Sequence, residues 1–400
     1  MISSTFSKCL YIHYQKFKSD GSNTHTQAFD HHFSQLCREK GIGFKVICPQ
    51  QVLPEDEDAY VPNWIDKLKL SLSQCYLRDF KDLLINIRRM FTEIRLLKAE
   101  RPDIVLTRYG SDTLSIIWAC RWMKVPIVLE FNSPSAERVS ADYRQLPFFK
   151  KLYSNQHALS LADGAFGVTD AITNDAALTN EDKLTCSIAN GVDITLFKPE
   201  VTQVQSEASA SNTAVTIGFV GSFAPWHGLD ILIDAFIALL DEGFDVHLLL
   251  VGFAKPESRY LLAPLNTPSV AKHVTITGYV EKESVPQFID KMDIATLPNT
   301  EDYCSPLKLF EYMAMAKPTV SVSTSAVEDI LRPDKDGLVY QRADHAQFKA
   351  HLKTLITSPA LRQSLGQSAQ ARVHEHFTWH KNAQNVMALL EQVYQSKVGS

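Results

Sequence analysis

The stretch from Ser305 to Pro318 combines residue types that suit a phosphate-bearing ligand. Its pattern predicts a turn that leads into a short helix and then a strand, with Ser305 as the N-cap and Pro306 in the first turn. Free N–H groups and the helix dipole favour an anion such as a diphosphate at a helix start. Lys308 adds a positive charge there, and Glu311 offers carboxylate oxygens to a pair of sugar hydroxyls. These features predict a nucleotide-sugar site, and a capped amphipathic helix with solvated charges is the alternative.

A second candidate loop, Gly221–Gly228, follows a predicted strand and precedes a predicted helix. Its glycines allow the backbone to approach a ligand closely, and the helix that follows again favours phosphate. Ser222 and His227 are its candidate polar contacts, and an ordinary strand–loop–helix turn is the alternative. Asn190 and the glycine after it indicate a tight turn, because both residue types tolerate positive φ.

Two loops in the N-terminal half also follow predicted strands. The small-residue loop Asp20–His25, which contains Gly21, is expected to approach an acceptor or a phosphate. His25 has either a structural or a catalytic role. Glu130 and Asn132 end another strand and point the same way by strand alternation. They are expected to hold a sugar hydroxyl or to position an acceptor, and a capped loop is the alternative.

Composition limits the class of protein. The 400 residues are enough for two or three domains, and 45% hydrophobic with 21% charged content is ordinary for a globular chain. A formal net charge of -5 argues against bulk nucleic-acid binding. The seven cysteines are scattered and form no C-x-x-C pair, which favours a reducing cytoplasm over a disulfide framework or a zinc site. We recognise neither a secretory signal nor a membrane span, and expect a cytoplasmic protein that needs no metal or other cofactor.

Strands and helices alternate along the chain, which predicts βαβ units and parallel sheets. The predicted strands are Cys9–His13, Phe44–Cys48, Ile104–Arg108, Ile127–Phe131, Ala165–Val168, Cys186–Ala189, Val215–Val220, Val246–Val251, Val274–Ile276, Ile294–Leu297 and Thr319–Val322. The predicted helices are Thr26–Glu39, Asp82–Lys98, Leu114–Met123, Phe148–Leu161, Leu229–Leu240, Val285–Lys291, Pro306–Ala316, Ala343–Thr357 and Trp379–Tyr394. The polar, serine-rich segment Lys198–Thr213 predicts a linker between two such arrays.

The segment Asn86–Arg101 is predicted to be a helix with many basic residues on one side and apolar residues on the other. Its apolar residues, which include Leu84, Ile87 and Phe91 near its start, are expected to pack on the sheet, with the basic residues in solvent. The alternative is that the helix lies against an anionic membrane surface.

Five motifs occur in a fixed order, and together they resemble one family. They are the Gly21 loop, Asn190-Gly191-Val192-Asp193, Gly221-Ser222 with Trp226-His227-Gly228, Thr277-Gly278-Tyr279-Val280, and Ser305–Pro318. The chain is similar to the retaining GT-B glycosyltransferases of the GT4 type, also described as glycosyl transferases group 1. The resemblance covers nearly the whole chain and is most specific from Cys186 to Tyr340.

The resemblance implies an α/β fold of GT-B type, with two Rossmann-like doubly wound domains facing a central cleft. It places an acceptor-side domain at residues 1–198, a nucleotide-sugar domain at 199–378 and a helix at 379–400 that crosses back to the first domain. It implies that Glu311 binds the donor ribose and that the backbone at Leu307 and Lys308 cradles the diphosphate. The other positions expected to border the donor are Gly21, Asn190, Gly221, Ser222, Tyr279, Val280 and Ser305.

Three positions depart from the family pattern. The residue eight before Glu311 is Tyr303, where the family often has another glutamate. The arginine and lysine that the family commonly places in the glycine loop are replaced by Phe223 or a neighbour and by His227, so Lys308 is expected to supply the missing charge. Asn132 takes the place of a histidine. The residues expected to act in catalysis are therefore Lys308, His227, Asn132 and Glu130.

The resulting prediction is a retaining glycosyltransferase of polysaccharide or cell-surface glycan biosynthesis. Its partners would be a UDP- or GDP-linked sugar and a glycan or lipid-linked acceptor, with no nucleic acid and with peripheral membrane contact as an open possibility. Leaving-group stabilisation should dominate the chemistry. The alternatives are a silent nucleotide-sugar-binding subunit of a glycosyltransferase complex and a nucleotide-sugar epimerase on the same fold.

Overall fold

The computed structural model describes residues 6–14, 21–48, 77–110, 114–134, 146–177, 183–199 and 214–398. The chain divides into two compact units. The first contains the chain up to Ala189 and again from Asn382 onwards, and the second is Asn190–Lys381. The second unit thus begins before the predicted boundary at residue 199, because Asn190 bonds to Ser305 and the backbone of Val192 pairs with Thr378. Most of the predicted linker lies outside the described residues.

The first unit has a six-stranded parallel sheet in the order β2-β1-β3-β4-β5-β6. Its strands are β1 (Lys8–Ile12), β2 (Gly43–Ile47), β3 (Ile104–Arg108), β4 (Ile127–Phe131), β5 (Gly164–Gly167) and β6 (Leu184–Ser187). Its helices are α1 (Gly21–Lys40), α2 (Leu77–Glu100), α3 (Leu114–Met123), α4 (Pro147–Leu152), α5 (Asn155–Leu161) and α6 (Asp170–Ala177). Because the strand order reverses between β1 and β3, their carboxyl ends form the switch point where such sheets bind ligands.

The second unit repeats this architecture with the order β12-β11-β10-β7-β8-β9. Its strands are β7 (Val215–Val220), β8 (Val246–Val251), β9 (Val274–Ile276), β10 (Ile294–Leu297), β11 (Thr319–Val322) and β12 (Leu338–Tyr340). Its helices are α7 (Leu229–Asp241), α8 (Pro268–Ala271), α9 (Val285–Asp290), α10 (Leu307–Ala314), α11 (Ser325–Ile330), α12 (His345–Thr357) and α13 (Pro359–His376), with 3-10 turns at Pro225–His227, Pro256–Asn266 and Lys282–Ser284. Here the strand order reverses between β7 and β10, so their carboxyl ends form its switch point.

The last helix, α14 (Trp379–Val398), begins in the second unit and continues into the first. Val386, Leu390 and Val393 on this helix are fully buried. Val393 packs so closely on Gly164 that a Cβ at this glycine would lie 2.7 Å from its side chain. The segment from Asn382 therefore belongs to the core of the first unit.

The hydrophobic cores follow the strand pattern. Every residue of β4 and β10 is buried, as expected for strands in parallel sheets with both faces covered. In the second unit, Phe219, Phe236 and Phe348 join one cluster that connects the sheet to α7 and α12. No helix within the described ranges has the length and apolar character needed to cross a membrane.

Helix α2 does not pack as the sequence analysis expected. Leu84, Ile87 and Phe91, predicted to face the sheet, are exposed, while Leu97 is buried. The side of the helix that is buried instead carries polar residues with hydrogen-bond partners. The amphipathic pattern therefore predicted the helix but gave the wrong face for the first three of its turns.

Three further local predictions need correction. The helix predicted over 148–161 is interrupted, because α4 ends and Ser154 caps the N-terminus of α5. The expected loop at Gly21 is instead the first turn of α1, and Asp20 lies outside the described residues. Ser305 does not cap α10, whose N-cap is Pro306 with no side-chain cap bond, because the Ser305 hydroxyl instead accepts a hydrogen bond from the backbone of Asn190 at 3.4 Å.

Candidate functional site

The floor of the candidate site in the second unit is formed where β7 and β8 end. Gly221 has φ of +138° and Gly252 has φ of +143°, a backbone conformation that favours glycine. A Cβ at Gly252 would lie 1.9 Å from the carbonyl oxygen of Gly221, so the two strand ends approach as closely as they do only because both residues lack side chains. Ser222 follows directly and is half-buried.

Lys308, in the first turn of α10, projects over this floor. Its Nζ would lie 2.9 Å from a Cβ placed on Gly221, and it lies 4.3 Å above the centre of the Phe219 ring. Its one hydrogen bond to a described residue is donated to Nδ1 of His227 at 3.3 Å, and no described carboxylate forms an ion pair with it. Burial lowers the pKa of Lys308 to about 7, against the opposing effects of Glu311 and Cys304. The site thus holds a partly desolvated amine without an ion-pair partner among the described residues.

His227 is fixed by its surroundings in one protonation state. It is buried, its ring lies 3.5 Å from that of Trp226, and burial, followed by the charge of Lys308, holds its pKa far below the usual range. Because Nδ1 accepts the bond from Lys308, the neutral ring carries its proton on Nε2, where it is a donor. Asn299 holds the loop from the other side, since its backbone N–H and its side-chain amide donate to the carbonyls of His227 and Trp226 at 3.1 Å.

The start of α10 is held by contacts that the sequence did not reveal. Asn190 donates to the carbonyl of Ser305 at 3.1 Å, and the Tyr312 hydroxyl accepts from the backbone N–H of Val220 at 2.8 Å. The second bond ties α10 to the end of β7. The first turn of the helix, with Leu307 and Lys308, is therefore held at the switch point rather than beside it.

Glu311 lies one turn beyond Lys308 and is partly buried. It has no hydrogen bond or ion pair within the described part of the chain, so both carboxylate oxygens keep their acceptor capacity. Burial raises its pKa, with Lys282 and Lys308 acting in the opposite direction. A diol is a suitable partner for such a carboxylate, because hydroxyl donors satisfy it without adding charge.

Two exposed rings stand at the end of β8 and β9. Tyr279 and Phe253 are both exposed, and their centroids lie 6.2 Å apart in an edge-to-face arrangement. Gly252 and Gly278 pair across this edge, which brings the two loops together. Val280 follows Tyr279 and is half-buried. Such rings offer apolar surface to a planar group.

The structure also describes the surroundings of two departures from the family pattern, the glycine loop and Tyr303. Phe223 is buried in the core beside Phe219, so it does not occupy the place of a phosphate-binding cation. His227 is instead hydrogen-bonded to Lys308. Next to Tyr303, the carboxylate of Asp302 is paired with Arg342 at 2.7 Å.

In the first unit, Glu130 is the centre of a buried polar cluster at the carboxyl end of β4. Tyr11 donates to it at 3.1 Å and Asn132 at 2.7 Å, while His25 and Arg108 lie 3.6 and 3.9 Å from its Oε1. Burial alone would raise the pKa of Glu130, but His25, Arg108 and the hydrogen bonds together lower it. The carboxylate is therefore ionised and compensated by its neighbours.

The cluster also fixes the orientation of Asn132. A carboxylate only accepts hydrogen bonds, so the Asn132 atom that faces Glu130 must be its NH₂ group. Its side-chain oxygen then points away and remains an acceptor. Arg108 similarly donates to Nδ1 of His25 at 3.0 Å and to Thr26 at 3.0 Å, which ties α1 to the switch point.

The structure thus groups the predicted residues into separate sets. Gly221, His227 and Lys308 meet in one, Asn190 and Ser305 in another, and both are in the second unit. Glu130 and Asn132 meet in the first unit, while Gly21 lies at the start of α1 with no described contact to them. Sequence reasoning missed Tyr11, Arg108, Asn299 and Tyr312, whose partners are far away along the chain. Of these four residues, only Arg108 could have been found from the sequence, because it is a charged residue at the end of a predicted buried strand.

The fold and part of the sequence match known glycosyltransferases. Residues 214–358 match the protein family described as "Glycosyl transferases group 1", which is less than half of the chain. The structure is similar to that of HepE from Anabaena, solved in complex with UDP, with a TM-score of 0.68, 16% identity and coverage of 96% of this chain and 100% of that one. The fold is therefore of GT-B type, and the second unit contains a glycosyl transferases group 1 domain.

Curated relatives match over about half of their lengths. An uncharacterised glycosyltransferase of Methanocaldococcus jannaschii is 25% identical over 224 residues, which cover 54% of this chain and 61% of that protein. The capsular polysaccharide biosynthesis glycosyltransferase CapM of Staphylococcus aureus is 23% identical over 228 residues, which cover 54% of this chain and 56% of that protein.

Proposed function

We propose that this protein is a retaining glycosyltransferase that transfers a sugar from a nucleoside-diphosphate donor to a hydroxyl acceptor. The observation that carries the proposal is the placement of Lys308 over Gly221, with His227 as its neighbour and no described carboxylate as its ion-pair partner. A half-buried amine in this position is stabilised by binding an anion, because desolvation penalises its charge until a partner arrives. The start of α10 adds backbone donors to the same place.

In the proposed reaction, the acceptor oxygen forms a bond to the anomeric carbon while the bond from that carbon to the diphosphate breaks. The acceptor proton passes to the leaving phosphate oxygen on the same face, which retains the configuration. Negative charge grows on the diphosphate, and Lys308 and the Nε2–H of His227 are the groups suited to stabilise it. No covalent nucleophile is required in this scheme.

Glu311 is proposed to accept hydrogen bonds from the ribose hydroxyls, one helical turn from the diphosphate. Its unsatisfied oxygens support this role. Tyr279 and Val280 are proposed to lie beside the base, and in the first unit Asn132 is proposed to present its oxygen to a sugar or acceptor hydroxyl. Ser222, Leu307, Ser305, Asn190 and Gly21 are proposed to border the donor as well.

The donor and pathway are also proposals. HepE was solved with UDP and CapM is described as a capsular polysaccharide enzyme, so a UDP-sugar and a role in polysaccharide or cell-surface glycan biosynthesis in the cytoplasm are the first hypotheses. The acceptor is proposed to be a glycan or a lipid-linked glycan. We also propose that the reaction needs no metal or other cofactor.

Thermal unfolding in the presence of UDP, GDP, ADP or CMP tests the donor site. A nucleotide at about 100 times its dissociation constant should stabilise the protein by about 2.7 kcal/mol. Lys308→Met should lose this stabilisation, and Lys335→Met, at an exposed lysine of the same unit, should keep it. If no nucleotide raises the melting temperature, or if the two variants respond alike, the donor site is wrongly assigned.

Transfer itself is tested with the sugar nucleotide of the base that binds. The anomeric signal of the product in proton NMR should show the configuration of the donor. If the sugar nucleotide binds but is not turned over with any of a panel of glycan and lipid-linked acceptors, a silent binding subunit is favoured. If the sugar is changed while it stays attached to the nucleotide, an epimerase is favoured.

A further inference from the structure

Helix α2 presents a continuous apolar stripe to solvent. Phe80 is 51% exposed, Leu84 66%, Ile87 40% and Phe91 56%. The spacing of these four residues places them on one side of the helix over three turns. They are hereafter called the apolar stripe. Large apolar side chains are common singly on protein surfaces, but a contiguous row of them marks an interaction site.

Buried polar contacts fix this orientation of the helix. Asn86 accepts a hydrogen bond from the backbone of Ser115 at 2.9 Å, and Glu93 accepts from the Ser115 hydroxyl at 3.0 Å and from the Tyr14 hydroxyl. Asp79 is buried as well. Rotating α2 to bury the apolar stripe would expose or orphan these groups, which costs more than it gains because buried polar groups need their partners.

The charges beside the apolar stripe all have one sign. Lys81, Arg88, Arg95 and Lys98 are exposed on α2. None of the acidic residues of α2 is exposed, since Asp79 and Glu93 are buried and Asp82 and Glu100 are half-buried. With 100° between successive residues, the exposed cations lie within or along one edge of the stripe. This face of the helix is therefore apolar and basic.

The short helix α4 extends the surface. Its Phe148 is 66% exposed and packs on buried Phe149 at a ring distance of 5.2 Å, and Phe149 in turn contacts Phe80 at 4.9 Å. Lys150 and Lys151 on the same helix are both exposed. The apolar stripe thus continues into a second exposed aromatic ring with cations next to it.

We propose that the apolar stripe of α2, together with Phe148, docks on a membrane surface that contains anionic lipids. Apolar side chains would enter the boundary between headgroups and acyl chains, and the flanking lysines and arginines would contact the lipid phosphates. The helix would lie in the plane of the interface. The proposal concerns the location of the protein and does not depend on its catalytic activity.

Charge complementarity favours this occupant over a second copy of the chain. A two-fold dimer through α2 would place the same patch on both partners and bring like charges together. An anionic lipid surface compensates the same cations and accepts the apolar side chains at once. A protein partner is the remaining alternative, and the test below distinguishes it by omitting all other proteins.

The test is sedimentation of the purified full chain with lipid vesicles. The protein should bind vesicles of phosphatidylcholine with about 30% phosphatidylglycerol, bind pure phosphatidylcholine vesicles at least about tenfold more weakly, and dissociate as salt rises from about 0.1 M to about 0.5 M. Arg88→Gln combined with Arg95→Gln should reduce the partition coefficient at least about tenfold. Leu84→Ser combined with Phe91→Ser should reduce binding to a similar degree.

Matched controls lie in the second unit. Lys272→Gln combined with Lys335→Gln removes two exposed cations, and Tyr260→Ser removes an exposed ring that is 64% accessible, so both should bind vesicles as the unaltered protein does. Failure of the unaltered protein to bind anionic vesicles, or an equal loss in test and control variants, overturns the proposal. The proposal is also overturned if sedimentation velocity shows a dimer that Leu84→Ser combined with Phe91→Ser dissociates, because a second copy then covers the apolar stripe.

Discussion

In the first unit, the buried charge at the carboxyl edge of the sheet is a carboxylate that four neighbours stabilise, whereas in the second unit the charge at this edge is a lysine without a described carboxylate partner. Glu130 lies at the carboxyl end of β4, next to the strand pair where the order reverses, and it is buried. Lys308 lies at the start of α10 and is half-buried. Glu130 is compensated within the protein, so its contribution is to stability and orientation. Lys308 forms no ion pair with a described carboxylate, so we propose that its contribution is to the binding of an anion. The carboxyl edges of two similar sheets thus carry charges of opposite sign, one compensated by described neighbours and one not.

The largest effect expected from this contrast is on stability, in Glu130→Ala. The substitution leaves Arg108 without its carboxylate and Tyr11 without its acceptor inside the unit. Breaking a buried pair by removing one partner costs about 3–5 kcal/mol. Urea unfolding should report this loss, and Glu39→Ala, at an exposed position, should change the free energy of unfolding by less than about 0.5 kcal/mol. Equal values for the two variants would show that the Glu130 cluster is not a stabilising unit.

Lys308→Met should reduce nucleotide binding and leave stability intact, which is the reverse of the result expected for Glu130→Ala. We expect nucleotide affinity and turnover to fall about tenfold to hundredfold, which corresponds to the loss of one charge-assisted hydrogen bond of about 1.5–3 kcal/mol. The free energy of unfolding should stay equal or rise, because an uncompensated amine is no longer desolvated. Calorimetric titration with the nucleotide and urea unfolding of the same sample measure both quantities. A less stable variant with unaltered affinity would remove the contrast between the two units.

Gly221→Ala tests whether the close approach of Gly221 to Lys308 matters for nucleotide affinity. The added methyl would meet Nζ of Lys308 at 2.9 Å, and the backbone conformation at φ of +138° is strained for alanine. We expect a loss of about 1–3 kcal/mol, divided between stability and nucleotide affinity. Gly243→Ala, at a glycine that also has positive φ but has nothing within 4 Å, separates the two causes. If both variants lose nucleotide affinity equally, contact with Lys308 is not the reason.

The pH dependence of nucleotide binding gives the smallest and most specific effect. Burial lowers the pKa of Lys308 from 10.5 to about 7 in the free protein, and a bound diphosphate should raise it again. The complex then holds one more proton than the free protein above pH 7, so affinity should fall by up to about tenfold per pH unit between about pH 7 and 9. Lys308→Arg, which stays charged, should bind with no such slope.

Calorimetry supplies the control for this prediction. Proton uptake makes the observed binding enthalpy depend on the ionisation enthalpy of the buffer, so titrations at pH 8 in two buffers should differ for the unaltered protein and agree for Lys308→Arg. An identical pH slope in both proteins would assign the proton to another group.

Local sequence patterns predicted most of the strands and the elements that carry the candidate site. The bounds of β3, β4 and β7 to β11 agree with the predictions, because short β-branched runs between turn residues are a local signal. Gly221, His227 and Lys308 were identified from the motifs around them. The motifs could not predict that these three residues contact one another, because the contact depends on the hydrogen bond between the Val220 backbone and the Tyr312 hydroxyl.

Helix α2 shows why the rest was not predictable. Periodicity reveals that a helix has an apolar side, but not whether the rest of the fold offers that side a partner. Here Asn86 and Glu93 bind Ser115, which is distant in the sequence, and this contact decides which face is buried. The cluster around Glu130 has the same origin, because Tyr11, His25 and Arg108 come from three separate elements.

The path of the chain through its two units has a consequence for biosynthesis. The second unit is a continuous segment, whereas the first requires the part of α14 that follows Asn382. Val393 of that segment packs on Gly164, and Lys397 pairs with Asp163 at 2.8 Å. A ribosome therefore produces all of Asn190–Lys381 before the first unit can close its core. The unit that is translated first finishes folding last, and until then the face of β5 at Gly164 must remain in solution without the helix that covers it.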